Sequence, residues 1–236
     1  MSAVAAGIFA AGEGSRLGAA ANGGVPKPMA LVAGVPLCHW VASGLLRAGA
    51  REISVLLNSR GHEAQASLRR AFPGISWTFI VKNTASSWES FRLLSLDLAG
   101  RAPRFLLSAV DSLAPPLEVS WFLDAARKSS ADAALALTKH VDDEKPLWAD
   151  VDERGMLSAL GAAASARGCA TAGLYYLSAA RAARMPAADF FGSLREYWTR
   201  EVEVFGPVSG IVLAKTLDVD RPGDLAQAQE FVKEFA

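Results

Sequence analysis

The sequence contains few cysteines and histidines, and these residues form no disulfide or metal-binding pattern. The 236 residues include two cysteines, Cys38 and Cys169, and three histidines, His39, His62 and His140. The cysteines lie far apart, and no histidine stands at the spacing of a zinc motif. The composition therefore argues against a disulfide-stabilised scaffold and indicates two reduced, mostly buried thiols.

The chain also lacks an excess of charge of either sign and lacks a long apolar run. It has 24 Lys and Arg against 24 Asp and Glu, so the basic surplus of a nucleic-acid-binding protein is missing. No run approaches the ~18 apolar residues of a membrane helix. The N-terminal segment 1–12 has no positive region before its short apolar run, which favours a buried first strand over a signal peptide. We expect a cytoplasmic protein, monomeric or homo-oligomeric, without nucleic-acid or membrane partners.

Strand and helix patterns alternate in the first half of the chain. The predicted strands are 4–10, 52–57, 76–81, 104–110 and 132–138, and the predicted helices are 36–49, 62–72, 86–98 and 118–129. This alternation predicts βαβ units, and the continuous apolar character of the strands predicts a parallel sheet covered on both faces.

The rhythm changes after Lys139. The second half is predicted to contain two short strands joined by a turn at 153–155, then the elements that follow: a strand at 170–178, a helix at 189–198, late strands at 202–206 and 210–219, and a closing helix that begins at Pro222. We expect one α/β domain over residues 1–236, with the second half covering one side of the site.

A glycine-rich turn follows the first predicted strand. Gly12 and Gly14 let the backbone bend sharply and bring N–H groups close to phosphate oxygens. Arg16 and Lys27 add two cations, and the prolines on both sides of Lys27 restrict its backbone. Together these features favour a cradle for a nucleoside triphosphate.

A dinucleotide-binding turn is the competing interpretation of the same stretch. That turn needs an acidic residue about 20 residues later, at the end of the second strand, to hold a ribose. Here the second strand ends some 45 residues later at Leu57 and Asn58, and no acidic residue stands there. The pattern therefore disfavours a dinucleotide.

Three aspartates are candidate ligands of Mg²⁺, which proteins bind through one or two carboxylates together with substrate phosphates. Asp111 directly follows an apolar strand, where it could also serve as an ordinary turn or cap residue. Asp218 and Asp220 alternate on an extended segment and so point to opposite faces. We expect one of these two to face the site and the other to cap the helix that begins near Pro222.

Two further stretches offer polar groups at the carboxyl ends of strands. Asn83, Thr84 and Ser86 lie in a strand-to-helix turn, where they either contact a base or phosphate or simply cap the helix. Lys139 follows another strand and is a candidate contact for a substrate phosphate.

Two segments near the N-terminus carry a resemblance to a known family. "AAGEGSRLG" (10–18) and "PKPMALVAGVPLCHWV" (26–41) resemble the signature of the nucleotide-sugar pyrophosphorylases, the sugar-phosphate nucleotidyltransferases. Three later segments resemble the family more weakly, and these are "LLSAVDSL" (106–113), "TAGLYYLS" (171–178) and "LDVDRPGDLAQAQ" (217–229).

The resemblance implies a fold and a division of labour. The fold is α/β, with a Rossmann-like, mixed and mostly parallel central sheet flanked by helices. Residues 1–139 would form the nucleotide-binding half, and residues 140–236 would form the acceptor-binding half.

The resemblance also implies roles for individual residues, with Arg16 and Lys27 as the catalytic cations. The nucleotide-binding residues would be Ala10, Ala11, Gly12, Glu13, Gly14, Ser15, Arg16, Lys27, Asn83, Thr84, Ala85 and Ser86. The acceptor-binding residues would be Ser87, Lys139 and Gly173. Asp111 and Asp218 would hold Mg²⁺, with Asp220 as the alternative to Asp218.

The implied reaction is attack by an acceptor phosphate on the α-phosphorus of the triphosphate, with release of pyrophosphate. The expected acceptor is a sugar 1-phosphate. The alternatives are cytidylyl-type transfer to phosphocholine, an inositol phosphate or a molybdenum-cofactor precursor, and a catalytically silent nucleotide-binding domain. Val110 and Asn83 depart from the glycines of the family pattern, and the Glu-Lys-Pro at 144–146 precedes the predicted turn at 153–155, so it is not assigned to the acceptor.

Overall fold

The structure, a computed structural model, describes residues 4–17, 24–141 and 145–235, apart from the side chain of Ser15. Gly18 of the glycine-rich segment and Glu144 of the Glu-Lys-Pro therefore lie outside the described residues. The strands are β1 Val4–Ala10, β2 Leu31–Val32, β3 Val35–Pro36, β4 Ala50–Leu57, β5 Ser76–Val81, β6 Arg104–Ala109, β7 Ser112–Leu113, β8 Ala133–Thr138, β9 Trp148–Val151, β10 Leu157–Leu160, β11 Cys169–Ser178, β12 Ser209–Leu213 and β13 Leu217–Asp218. The helices are α1 Leu37–Arg47, α2 His62–Ala71, α3 Ser87–Ala99, α4 Pro116–Lys128, α5 Ala179–Ala183, α6 Leu194–Arg200 and α7 Pro222–Lys233.

Nine of the described strands form one mixed sheet. Its order is β10-β9-β11-β6-β1-β4-β5, and β8 pairs with β11 and with β12. The pairs among β6, β1, β4 and β5 are parallel, as is the pair of β12 with β8, whereas β11 runs antiparallel to β6 and β8. The predicted fold class, a mostly parallel central sheet flanked by helices, is confirmed.

This topology brings the carboxyl ends of six strands to one edge. Because β11 is antiparallel to both β6 and β8, those two strands point the same way, and β12 follows β8. The turns after β1, β4, β5, β6, β8 and β12 therefore open on the same edge of the sheet. Ligands bind at this edge in open sheets of parallel strands.

Two apolar layers cover the sheet. One buried cluster joins the first face to α1, α2, α4 and α7, and a second joins the other face to α3, α5 and α6. The second cluster is rich in aromatic rings, and the rings of Tyr175 on β11 and Trp198 on α6 stack with centroids 5.8 Å apart. Because both faces are covered, the strands are apolar throughout, as their sequences predict.

The structure of residues 201–206 differs from the one that the sequence predicts. The predicted strand at 202–206 is wrong, because Glu201–Phe205 continues α6 as a π-helix. The side chain of Arg181, which is buried, pairs with Glu201 and with Asp132, and this contact holds the segment against α5. Tertiary contact thus overrides the local β-propensity of the valines.

The predicted helix at 189–198 also begins later than expected. It starts at Leu194, because the hydroxyl of Ser193 accepts a hydrogen bond from the backbone N–H of Glu196 and caps the helix there. Its other boundary, at Arg200, lies close to the predicted one.

Both cysteines are buried and unpaired, as expected. Burial raises the pKa of the Cys38 thiol to about 12. No helix within the described parts of the chain has the length and apolar character needed to cross a bilayer.

Gly173 lies where β11 changes its pairing. The register of β11 with β8 shifts between Thr171 and Tyr175, and Gly173 adopts φ +62° within that shift. A Cβ on this residue would lie 2.6 Å from both Cβ and Oγ of Ser112. The position therefore demands glycine for steric as well as conformational reasons.

We predict that Gly173→Ala destabilises the fold by about 2 kcal/mol or more, because it combines backbone strain with a clash. Urea unfolding at neutral pH measures the loss. Gly168→Ala is the matched control, since a Cβ there meets no heavy atom within 4 Å, and it should change stability by less than about 1 kcal/mol. Equal stability of the two variants would contradict the prediction.

Candidate functional site

The glycine-rich turn begins where β1 ends and closes into a short 3-10 helix, Ser15–Leu17. Gly14 has φ +65°, and a Cβ on it would lie 2.8 Å from the Cβ of Lys27. This glycine thus lets Lys27 pass directly beneath the turn. A Cβ on Gly12 would meet nothing within 4 Å, so the space beside that residue is open.

Lys27 pairs with one carboxylate from each half of the chain. It begins the 3-10 helix Lys27–Met29, is 9% exposed, and places its Nζ 2.6 Å from Oδ2 of Asp111 and 2.5 Å from Oδ1 of Asp220. Burial lowers the pKa of Lys27, but the two carboxylates outweigh it and hold the pKa above the ordinary value of 10.5. Arg16, which is largely exposed, adds a second contact to Asp220 at 3.3 Å.

A first cavity of about 470 Å³ opens above this cluster. It lies between the glycine-rich turn, the turn that precedes α3 and the end of β6. Most residues predicted to bind a nucleotide line it, together with two predicted metal ligands and Ser87. These are Ala10, Ala11, Gly12, Glu13, Gly14, Arg16, Lys27, Thr84, Ala85, Ser86, Ser87, Asp111 and Asp220.

A second, smaller cavity of about 190 Å³ adjoins the first, and Arg16 and Asp220 line both. Three strand ends contribute to it, those of β8, β11 and β13. Its other described lining residues are Thr138, His140, Val141, Lys145, Pro146, Ala170, Thr171, Thr216, Leu217, Asp218, Arg221 and Asp224. The two cavities thus meet at a charged boundary.

Asp218 and Asp220 occupy different environments. Asp220 pairs with Lys27, whereas Oδ1 of Asp218 lies 2.7 Å from the hydroxyl of Ser112. That hydroxyl also lies 2.7 Å from the carbonyl oxygen of Ala172. The single proton of this hydroxyl is therefore shared between two acceptors, the carboxylate of Asp218 and the carbonyl oxygen of Ala172.

The groups around Asp218 shift its pKa in both directions. Desolvation, followed by the nearby carboxylates of Asp111 and Asp220, raises the pKa of Asp218 above its ordinary range, although the Ser112 hydroxyl and Lys27 act against this shift. For Asp220, burial alone would raise the pKa, but Lys27 and Arg16 outweigh it and lower the pKa below 3.8. The lowered pKa thus favours an ionised Asp220 that pairs with Lys27 and Arg16.

The expectation that Asp218 or Asp220 caps α7 is wrong. The N-cap residue is Arg221, and the carboxylate of Asp224 accepts hydrogen bonds from the backbone N–H groups of Asp220 and Arg221. This contact folds the segment back on itself and fixes the position of Asp220.

Several predicted residues lie away from both cavities or serve a visible structural purpose. Asn83 lines neither cavity and accepts a hydrogen bond from the backbone N–H of Ser59. Lys139 is exposed beyond β8, and the next residue, His140, lines the second cavity instead. Ser87 accepts a hydrogen bond from the backbone N–H of Leu194, and Gly173 packs against Ser112.

Sequence reasoning missed Lys145, Thr171 and Arg221 in the second cavity. Lys145 belongs to the Glu-Lys-Pro that chain order excluded, yet it lines the cavity beside His140. The other two lie within segments already singled out, Thr171 at the start of "TAGLYYLS" and Arg221 in "LDVDRPGDL". The resemblance of those two segments to the family was therefore the signal that could have found Thr171 and Arg221.

Comparison with solved structures identifies the fold. The inositol-1-phosphate CTP transferase from T. maritima superposes with a TM-score of 0.81 at 19% identity, over 99% of this chain and 98% of that one. HddC from Yersinia pseudotuberculosis, complexed with GMP-PN, gives 0.73 at 21% identity over 97% and 99%. UDP-glucose pyrophosphorylase complexed with UDP-glucose gives 0.76 at 13% over 99% of both chains.

Comparison at the sequence level identifies the family. No curated protein matches the sequence. The MobA-like NTP transferase domain, in contrast, matches residues 6–180, which include the glycine-rich turn, Lys27 and Asp111. Since that match spans most of the chain and the fold is that of the nucleotidyltransferases above, the chain belongs to the MobA-like NTP transferase domain family and is a nucleotidyltransferase.

Proposed function

We propose that the protein transfers a nucleoside monophosphate from a nucleoside triphosphate to a small phosphorylated acceptor and releases pyrophosphate. The observation that carries the proposal is the meeting of two cavities at Arg16 and Asp220, beside the ammonium of Lys27. A transfer between two substrates needs both reacting groups at one boundary, and cations there neutralise the phosphates as they approach.

The first cavity suits the triphosphate. Its volume of about 470 Å³ lies in the range of sites for nucleotide-sized ligands. The backbone of the glycine-rich turn and the cations of Arg16 and Lys27 line the side nearest the second cavity, where they would hold the phosphate chain. The turn before α3 would lie nearer to the nucleoside.

The second cavity suits an acceptor that carries hydroxyl groups as well as a phosphate. Arg16, Lys145 and Arg221 supply positive charge for the phosphate, and the carboxylates of Asp218 and Asp224 can accept hydrogen bonds from hydroxyls.

Phosphocholine fits the second cavity less well than a polyol phosphate does. A quaternary ammonium is usually held by aromatic rings. No Trp, Tyr or Phe stands among the described residues that line this cavity. We therefore favour a sugar 1-phosphate, with an inositol phosphate as the second candidate because the T. maritima neighbour is named for inositol 1-phosphate and CTP.

The cluster around Lys27 fits a magnesium ion of the kind that substrate phosphates complete. No group of three or more His, Cys, Asp and Glu side chains among the described residues is arranged as a full metal cage. Mg²⁺, however, commonly takes only one or two carboxylates together with phosphates and water. Asp111 and Asp220 already share one cation, the ammonium of Lys27, and these two residues would hold Mg²⁺. Such an ion supplies Lewis-acid neutralisation of phosphate charge.

The proposed reaction needs positioning more than acid–base chemistry. An oxygen of the acceptor phosphate attacks the α-phosphorus in line, the bond from that phosphorus to the bridging oxygen breaks, and pyrophosphate leaves. The attacking oxygen is already anionic, so no strong base is required. Lys27 would neutralise charge near the α-phosphate, and Arg16 would hold the departing pyrophosphate.

The test is a pyrophosphate-release assay over a matrix of substrates with Mg²⁺ present. The donors are ATP, CTP, GTP, UTP and dTTP, and the acceptors are hexose 1-phosphates, inositol 1-phosphate and phosphocholine. We expect turnover with at least one polyol phosphate and none with phosphocholine. A folded protein that turns over no pair would overturn the proposal, and preference for phosphocholine would overturn the choice of acceptor.

We predict that Lys27→Met lowers kcat by about 100-fold or more, because a preorganised charge is lost at the reacting phosphates. Arg16→Met should lower kcat/KM for the triphosphate while leaving thermal stability nearly unchanged, since Arg16 is largely exposed. The control is Arg127→Met, which removes an exposed arginine from α4. Steady-state kinetics on the three variants measure kcat and kcat/KM. An equal loss of these constants in Arg127→Met would refute the roles proposed for Lys27 and Arg16.

The lowered pKa of Asp220 predicts a pH-dependent contribution to stability. Its pKa lies below 3.8 in the folded protein, so its ionised form stabilises the fold at neutral pH, and this stabilisation is lost as the pH falls through the folded pKa. The unfolding free energy of the wild type should therefore decrease relative to that of Asp220→Asn as the pH falls below about 4.

Urea unfolding at a series of pH values between about 7 and 3 measures this difference. In a Lys27→Met background the change should be much smaller, because Lys27 is the main source of the lowered pKa. Parallel pH profiles for wild type and Asp220→Asn would contradict the prediction.

A further inference from the structure

Asn58 lies behind the glycine-rich turn, on the side away from the first cavity. It directly follows β4, is 8% exposed and is not one of the residues that line the cavity. Its amide nitrogen lies 3.3 Å from the carbonyl oxygens of both Ala11 and Gly12. Its amide oxygen accepts a hydrogen bond from the backbone N–H of Arg60 at 3.0 Å, which fixes the orientation of the amide group.

Arg60 makes a hydrogen bond to the next carbonyl group of the turn. Its Nη2 donates to the carbonyl oxygen of Glu13 at 3.2 Å. Three consecutive carbonyl groups of the turn, those of residues 11, 12 and 13, are thus drawn towards the segment after β4. The carbonyl of Gly14 accepts from the backbone N–H of Leu17 and closes the turn.

This pattern determines where the N–H groups of the turn point. In a trans peptide the N–H of one residue points opposite to the carbonyl of the residue before it. The described residues contain no cis peptide bond. The N–H groups of Gly12, Glu13 and Gly14 therefore point away from Asn58 and Arg60, towards the cavity that these three residues line.

We propose that Asn58, assisted by Arg60, is a positioning residue that orients three backbone N–H groups for the phosphates of the triphosphate. The inference rests on the proposed function, because it assumes an anion in the first cavity. Successive N–H groups that converge in this way form an anion-binding concavity. An amide suits position 58 because it donates two hydrogen bonds without placing a negative charge behind an anion site.

The experiment replaces the donating group and matches the charge that this replacement adds. Asn58→Asp is nearly isosteric but turns the amide nitrogen into an oxygen that repels the carbonyls of Ala11 and Gly12. Ser59→Asp is the matched control, since it adds the same charge at the next, exposed residue and leaves the hydrogen bonds of Asn58 intact. Arg60→Ala is the second variant, because it removes one contact of an exposed side chain and should preserve the fold. Circular dichroism and thermal unfolding verify that each variant is folded.

Calorimetry with inorganic triphosphate, which carries no base, measures binding to the cradle directly. Measurements at about 0.3 M salt screen the long-range effect of the altered charges. We expect Asn58→Asp to raise the dissociation constant about tenfold or more, Arg60→Ala about threefold and Ser59→Asp less than twofold, because misdirected N–H groups of the turn would make weaker hydrogen bonds to the charged ligand. In turnover with the best substrate pair, KM for the nucleotide should rise while KM for the acceptor stays nearly constant, a split that general destabilisation would not produce.

Two results would overturn the inference separately from the proposed function. If the wild type binds triphosphate and a folded Asn58→Asp binds it equally well, Asn58 does not orient the cradle, while the transfer reaction still stands. If Asn58→Asp does not fold, Arg60→Ala decides the question. Unchanged binding of triphosphate by that variant would show that the hydrogen bonds behind the turn do not orient the cradle. If the wild type turns over no substrate and binds no triphosphate, the proposed function fails and this inference falls with it.

Discussion

The contact on which the site depends is the ammonium of Lys27 held between Asp111 and Asp220. The three residues come from distant parts of the chain, with separations of 84 and 193 positions. A buried ammonium is costly unless it is paired, and two carboxylates with a third nearby repel one another unless a cation lies between them. The ammonium and the carboxylates therefore stabilise one another. Their pairing ties Lys27, which packs against the glycine-rich turn, to the end of β6 and to the closing segment.

The antiparallel strand β11 makes that convergence possible. It separates β6 from β8 in the sheet, and its irregularity at Gly173 lets Ser112 approach the backbone at Ala172. The hydroxyl of Ser112 also donates to the carboxylate of Asp218. Of the two aspartates in the closing segment, Asp220 pairs with Lys27 and lines the first cavity, whereas Asp218 lines the second.

The elements with a strong pattern could be predicted from the sequence almost to the residue. The segments 4–10 and 76–81 are strands with the predicted boundaries, because their apolar runs end at clear turn residues. The segment 202–206 could not be predicted, since its valines favour a strand and only the buried Arg181 reveals the competing contact with Glu201.

Some residues of the candidate site could likewise be predicted from the sequence, and others could not. Arg16, Lys27 and Asp111 follow from motifs in which neighbours in sequence act together. The choice between Asp218 and Asp220 does not follow, because alternation shows that they face opposite sides but not which side contains the first cavity. Lys145 was excluded by chain order, and Asn58 acts on backbone atoms 46 and 47 positions away, a contact that leaves no periodic signal.

The charge balance at this edge also explains why the backbone of the turn matters. The chain as a whole has no net charge, and the charge of Lys27 is already shared between two carboxylates. Its attraction for a further anion is correspondingly reduced, because Coulomb terms of opposite sign largely cancel beyond a short distance. If the proposed function holds, much of the attraction for phosphate would then come from the peptide dipoles of the turn, which carry no counter-charge, since Arg16 also contacts a carboxylate, that of Asp220. Dipoles act only when they are oriented, so the hydrogen bonds that fix the three carbonyl groups would be as much a part of the proposed anion site as the cations of Arg16 and Lys27.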